Sequence, residues 1–126
     1  MMVIGIGATS TATAEDVVSA VRDCCARGAT DVNDLAGLAS LDRSETRDAI
    51  QAAADKLGVR ASFCSRSTLQ AEAARCQTRS LRSMAAAGVP SVAEASALVA
   101  AGPGSRLIVP RIAFAKVTAA LAMGAA

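Results

Sequence analysis

Histidine is absent from this 126-residue chain, and so are tryptophan and tyrosine. The first absence removes any Cys/His zinc site and any histidine-based catalytic dyad, since the imidazole is the ligand or general base such sites depend on. The second removes most stacking platforms for single-stranded nucleic acid, with Phe63 and Phe114 the only aromatic side chains left. Charge of one sign is also lacking, because 13 Lys and Arg stand against 11 Asp and Glu for a net +2. Nucleic acid calls for a clustered basic face, so no nucleic-acid partner is expected. No apolar run approaches the roughly 20 residues of a membrane span, and no basic segment precedes a long apolar core at the start. The expectation is a soluble, unexported, cytoplasmic protein with no membrane partner. Cys24, Cys25, Cys64 and Cys76 lack CxxC spacing and read as free thiols in a reducing compartment. Neither a metal nor a cofactor is expected.

What is present suits one domain spanning residues 1–126. A chain of this length buries about two-thirds of the surface it exposes when open, enough for a core without staples. The apolar fraction is 52%, much of it alanine, which favours helices lying close against a sheet. Residues 2–6 read as a short buried strand. After a polar loop, Thr13 is placed to cap a helix whose first turn carries Glu15 and Asp16, with Val17, Val21, Cys24 and Cys25 at helical spacing and Gly28 as the stop. Residues 35–41 read as a second strand. Asp42 is then expected to cap a helix, with Glu45 as its capping-box partner, a buried stripe through Ile50, Ala53, Ala54 and Leu57, and a stop at Gly58. Residues 59–64 read as a third strand. Ser67 with Gln70 suggests a short helix to about Arg75, and Leu81 with Met84 another. Pro90-Ser91-Val92-Ala93-Glu94 carries a capping-box signature for a helix ending at Gly102. Residues 107–109 and 117–123 complete the strands, the last one antiparallel. The alternation predicts an α/β fold: a single three-layer domain with a mixed, mostly parallel sheet of about five strands flanked by helices.

Candidate binding residues fall at strand ends and helix starts. Gly5-Ile6-Gly7 lacks the third glycine of a dinucleotide fingerprint, because Ser10 stands in its place. The two glycines are expected instead to let the backbone turn sharply at the strand end. Thr9, Ser10 and Thr11 would then offer hydroxyl and amide donors to an anionic ligand, or simply form a polar loop. Asp42, Ser91 and Glu94 are explained by capping, yet Asp42 and Glu94 are also the candidates for a general acid or base. Arg66, Arg79 and Arg82 could pair with ligand carboxylates or form a solvated face. Arg111 and Lys116 bracket a hairpin, where charge also discourages edge pairing with other molecules.

Three stretches, taken in order, resemble the CobE/CbiG C-terminal domain family of cobalamin biosynthesis. They are Val3-Ile4-Gly5-Ile6-Gly7 with Ala14-Glu15-Asp16-Val17, then Leu38-Ala39-Ser40-Leu41-Asp42 with Leu57-Gly58-Val59, and Gly88-Val89-Pro90-Ser91-Val92-Ala93-Glu94-Ala95-Ser96-Ala97-Leu98 with Ala101-Gly102. The resemblance implies a role in building the corrin ring. In the anaerobic route the domain forms the C-terminal part of an enzyme that opens a cobalt-precorrin lactone and releases a two-carbon fragment. In the aerobic route it is a free-standing protein, the form this chain is expected to take. At two places the chain departs from the family. The loop after Gly7 is rich in hydroxyls rather than Cys and Arg, and residues 111–116 are less basic and polar. A role relying on clustered positive charge at those loops is therefore not expected.

The implied ligand is a precorrin or other corrinoid tetrapyrrole, whose many carboxylates would meet Gly5, Gly7, Thr9, Ser10, Thr11, Asp42, Ser91, Glu94 and Lys116. Binding or carrying such an intermediate is favoured over catalysis, because no histidine exists and no cysteine falls at a strand-end loop. The alternatives are a hydrolase acting on a precorrin ring lactone and a non-catalytic module that docks on a pathway methyltransferase or another enzyme of the route.

Overall fold

The computed structural model describes residues 1–125 and shows one five-stranded sheet with helices on both faces. The chain runs β1 (Met2–Ala8), α1 (Ala14–Arg27), β2 (Leu35–Leu41), α2 (Ser44–Leu57), β3 (Arg60–Cys64), α3 (Arg66–Gln70), α4 (Leu81–Ala87), α5 (Val92–Ala101), β4 (Arg106–Ala113) and β5 (Val117–Met123). The strand order is β3-β2-β1-β5-β4. β1, β2 and β3 pair in parallel, whereas β5 lies antiparallel to both β1 and β4. All strands but β5 therefore point the same way, the mixed, mostly parallel arrangement expected from the alternation of elements.

Side-chain alternation on the central strands divides the core in two. Ile4, Ile6 and Leu38 face α1 and α2, where Val17, Val21, Cys24, Ile50 and Ala53 pack on them. Val3, Ala39 and Ala122 face the other way, against Ala97, Leu98 and Ala101 of α5. Leu41 joins Leu69, Ala87, Val89 and Val92 beneath α3 and α4. Three layers result.

Helix starts follow local chemistry, with two corrections to the sequence reading. Thr13 caps α1 as expected: its hydroxyl accepts from Asp16 N at 3.2 Å, and the Asp16 carboxylate accepts from Thr13 N at 2.9 Å. Asp42 does not cap α2. The N-cap is Arg43, which makes no side-chain capping bond, and Asp42 instead pairs with Arg47 at 2.8 Å. α3 is capped by Ser65, whose hydroxyl accepts from Thr68 N, rather than starting near Ser67. Gly88 ends α4 in the left-handed region at φ 70°, where a side chain would be strained.

Gly5 corrects a third expectation. β1 continues through Ala8, so Gly5-Ile6-Gly7 is not a turn, and neither glycine has positive φ. What Gly5 permits is close approach, since a Cβ there would lie 1.9 Å from Ala93 O and 2.6 Å from Ala97 N of α5. α5 is consequently buried on nearly every side, and its small residues (Ala93, Ser96, Ala97) allow that contact. Ser96 donates its hydroxyl to Val92 O at 2.7 Å and is within 3.2 Å of Ala39 O.

Glu94, also in α5, is wholly buried. Ser91 caps the helix by accepting from Glu94 N at 3.1 Å, but the Glu94 side chain does not turn back to complete a capping box. Its Oε1 accepts from Gln77 N at 2.7 Å and Thr78 N at 3.0 Å, and its Oε2 accepts from Arg111 N at 2.8 Å. The Arg111 amide is available because the β4–β5 register slips between Val109 and Ile112, where Pro110 has no N–H to offer the ladder. One carboxylate thus ties α5 to the 77–78 segment and to the bulge of edge strand β4.

Two substitutions test this packing. Gly5→Ala forces α5 off the sheet and lowers stability by about 1–3 kcal/mol, read as a lower urea midpoint. An unchanged midpoint would show that α5 does not rest on β1 as described. Glu94→Gln preserves shape but turns an NH2 group toward backbone donors, leaving an amide unsatisfied at a cost of about 1–3 kcal/mol. Retention of the wild-type midpoint by that variant would exclude the three-way clip.

Candidate functional site

The carboxyl ends of β1, β2, β3 and β4 share one edge of the sheet with the β4–β5 hairpin. At β1 the order reverses: β2 and β3 extend to one side, β5 and β4 to the other. Such a switch point leaves a crevice outside the strand ends. Here it is a cleft of about 640 Å³. Its floor is made by the ends of β1 and β2 (Gly7, Ser40, Leu41), the start of β5 (Val117, Thr118) and Val92 at the start of α5. The loop after β1 supplies Thr9 and Ser10, the hairpin Phe114 and Lys116, the start of α2 Arg43 and Thr46, and α4 with its cap a wall containing Ser80, Arg82 and Ser83.

Local hydrogen bonds fix these parts. Thr9 N donates to Lys116 O at 3.0 Å, joining the β1 loop to the hairpin. Ser40 Oγ donates to Ile6 O at 2.6 Å across the parallel pair. α4 is held by its ends: Arg66 donates to Ala86 O at 2.7 Å, Gln70 donates to Ala87 O at 3.1 Å, and Ser80 N donates to Pro90 O at 2.8 Å.

Of the residues singled out from sequence, the structure brings Gly7, Thr9, Ser10, Arg111 and Lys116 to the cleft. Gly5, Thr11, Asp42, Ser91 and Glu94 do not line it. Gly5 lies under α5, Thr11 is exposed on the far part of its loop with its hydroxyl 3.3 Å from that of Thr9, and Asp42 points outward to Arg47. Ser91 and Glu94 are buried in the capping and clipping bonds of α5. Among the three arginines of the basic stretch, Arg82 reaches the lining. Arg66 closes α4, and Arg79 is exposed elsewhere. Missed from the sequence were Arg43, Thr46, Ser80 and Ser83, which come from helix starts far apart in the chain.

The lining carries Arg43, Arg82, Arg111 and Lys116 and no carboxylate among the described residues. Positive charge is therefore clustered after all, gathered from four separate segments rather than from one basic loop. Hydroxyls and the apolar side chains of Leu41, Val92 and Phe114 belong to the same lining. Acid–base chemistry has little to work with here. No cysteine lines the cleft, and desolvation raises all four thiols, Cys24 to about 12. The four cysteines are free. No described group of histidine, cysteine or acidic side chains could hold a metal ion, and no single described helix is long and apolar enough to cross a membrane. What the arrangement can do is hold an anion against a partly apolar floor.

Comparison with known proteins points to one family. The family model described as Cobalamin synthesis G C-terminus matches residues 2–122. Protein CobE of a Sinorhizobium species is 40% identical over 121 residues, covering 96% of this chain and 79% of that protein. The crystal structure of CobE, a protein from the cobalamin (vitamin B12) biosynthetic pathway, superposes with a TM-score of 0.91 at 25% identity, covering 97% of this chain and 89% of that one. Cobalamin biosynthesis protein chiG from Agrobacterium tumefaciens matches over 100% of both chains at 30% identity, with a TM-score of 0.80. A cobalamin biosynthesis protein G homolog from Sulfolobus solfataricus contains the same fold at a TM-score of 0.74 and 26% identity, in 36% of its own length. The chain, whose cleft gathers four cations at the carboxyl edge of the sheet, belongs to the CobE/CbiG C-terminal family of cobalamin-biosynthesis proteins.

Proposed function

We propose that this protein, acting as a single cytoplasmic domain, binds a precorrin intermediate in the cleft and holds it for the enzymes of the pathway. The observation that carries this reading is the convergence of Arg43, Arg82, Arg111 and Lys116 on a cleft with no lining carboxylate among the described residues. A precorrin carries acetate and propionate side chains around a largely apolar ring. A lining that holds cations together with Leu41, Val92 and Phe114 complements both parts. A volume of about 640 Å³ lies inside the ~300–1,000 Å³ range of small-molecule sites. The membership of the chain in a cobalamin-biosynthesis family supports the choice of ligand.

Binding is preferred to hydrolysis because the two carboxylates that could have served as acid or base are occupied elsewhere. Asp42 pairs with Arg47 outside the cleft, and Glu94 accepts three backbone N–H groups. Neither is placed to deliver a proton to a bound ring.

Titration with late, metal-free precorrins, followed by visible absorbance, tests the reading. Binding should shift the spectrum, persist through gel filtration and weaken as salt rises. Combined Arg43→Gln, Arg82→Gln and Lys116→Gln substitutions remove three rim charges worth roughly 0.2–1 kcal/mol each, and should weaken binding about tenfold without moving the urea midpoint. Absence of any spectral change well above micromolar ligand, or wild-type affinity in the triple variant, would sink the proposal. Co-elution with a pathway methyltransferase without ligand affinity would favour a docking module instead.

A further inference from the structure

Among the described arginines, Arg111 has an unusual environment. Arg27, Arg43, Arg47 and Arg75 pair with carboxylates, Arg66 closes α4, and Arg106 reaches Met123. Arg22, Arg60, Arg79 and Arg82 have no such partner but are exposed to water. Arg111 is only partly exposed, and its Nε is closed off from solvent with no hydrogen-bond partner. Its terminal nitrogens donate to no described protein atom, yet the residue lines the cleft. A partly desolvated guanidinium with no carboxylate hydrogen-bonded to it is costly, and a ligand anion is the group that would relieve that cost. The backbone beneath it is fixed, because Arg111 N donates to the buried Glu94 carboxylate at 2.8 Å, so the guanidinium departs from a defined point on the β4 bulge.

We infer that Arg111 is the residue by which the cleft distinguishes an ionised side-chain carboxylate of its ring ligand from the corresponding primary amide. The inference rests on the proposed reading of the cleft and narrows its substrate class to ring intermediates that still carry free acids at the anchored position. A carboxylate offers two acceptor oxygens and a negative charge to the planar guanidinium fork. A primary amide offers one acceptor, no charge, and an NH2 group that would face the arginine donors.

The test compares a late metal-free precorrin with the same ring after its side-chain acids are converted to primary amides. Affinity is measured by visible-absorbance titration. Wild-type protein should bind the free acid at least about tenfold more tightly than the amide, the scale of one charge-assisted pair. Arg111→Lys, which keeps the charge but not the fork, should narrow that ratio, and Arg111→Gln should reduce it further. Arg106→Gln, on the same strand but outside the cleft, should leave it unchanged. Equal wild-type affinity for acid and amide overturns the inference while leaving the cleft as a binding site. An unaltered ratio in both Arg111 variants overturns the role of Arg111. Failure of wild-type protein to bind either ring sinks the inference together with the reading beneath it. Should Arg111→Gln not fold, the wild-type comparison and Arg111→Lys still decide the matter.

Discussion

The Glu94 carboxylate joins three stretches of chain that local structure would leave apart. Its two oxygens accept from Gln77, Thr78 and Arg111, so a helix between the sheet and the outer helices is tied to the segment before α4 and to the edge of the sheet. A carboxyl group buried this completely is tolerated only when its lone pairs are met, and three backbone donors meet them. The amides are served too. The Arg111 N–H leaves the β ladder at a bulge, and the Gln77 and Thr78 N–H groups belong to a stretch with no regular structure. The wall and the floor of the cleft are joined through this carboxylate, while Gly5 lets α5 lie directly on β1.

Much of the architecture was legible because strand and helix periods are carried by residues that have no other role. Ile4, Ile6 and Leu38 alternate with Val3, Gly5 and Ala39, and the structure sends the two sets to opposite faces. Thr13 and Asp16 lie at capping-box spacing and form one. The same spacing misled at two other starts. Asp42 and Glu45 fit the pattern, but α2 begins a residue later, and Asp42 pairs with the Arg47 guanidinium instead of capping. Ser91 and Glu94 fit it as well, and only the serine half operates. The partners that claim Glu94 are 17 and 16 residues upstream and 17 downstream, beyond what local spacing can indicate. Pro110 was the available clue, since proline inside an edge strand marks a bulge and a bulge frees the next amide.

The site was harder to read for a related reason. A net charge of +2 spread along 126 residues gives no sign that four cations converge. Arg43, Arg82, Arg111 and Lys116 belong to the α2 start, α4, the β4 bulge and the hairpin, and only the reversal of strand order at β1 brings those places to one edge. The hydroxyl-rich loop after Gly7 was visible, and Thr9 with Ser10 does reach the cleft. Among the described lining cations Arg43 is ion-paired, with Glu45 at 3.2 Å, whereas Asp42 is engaged by Arg47 and Glu94 by backbone amides. The charge of the cleft follows from where carboxylates are used up as much as from where cations are placed.

The two sides of the cleft differ in how firmly they are held, and that difference bears on recognition. The floor and the β4 side consist of paired strand ends and the clipped bulge, so Arg111 and Thr118 occupy places set by backbone hydrogen bonds. The α4 side is a seven-residue helix held chiefly at its two ends, with Leu81 at 87% exposure and Met84 also exposed. A helix that short has little stability of its own, and few buried contacts are lost if it shifts. The proposed discrimination between a carboxylate and an amide would call for donors that do not follow the ligand, and the β4 side is the firmly held one. The proposed ring ligand would call for a wall that yields, and α4 with Arg82 is the less firmly held side. The proposed role of holding an intermediate and releasing it would call for both properties, and the firm and the loosely held elements lie on opposite sides of one cleft.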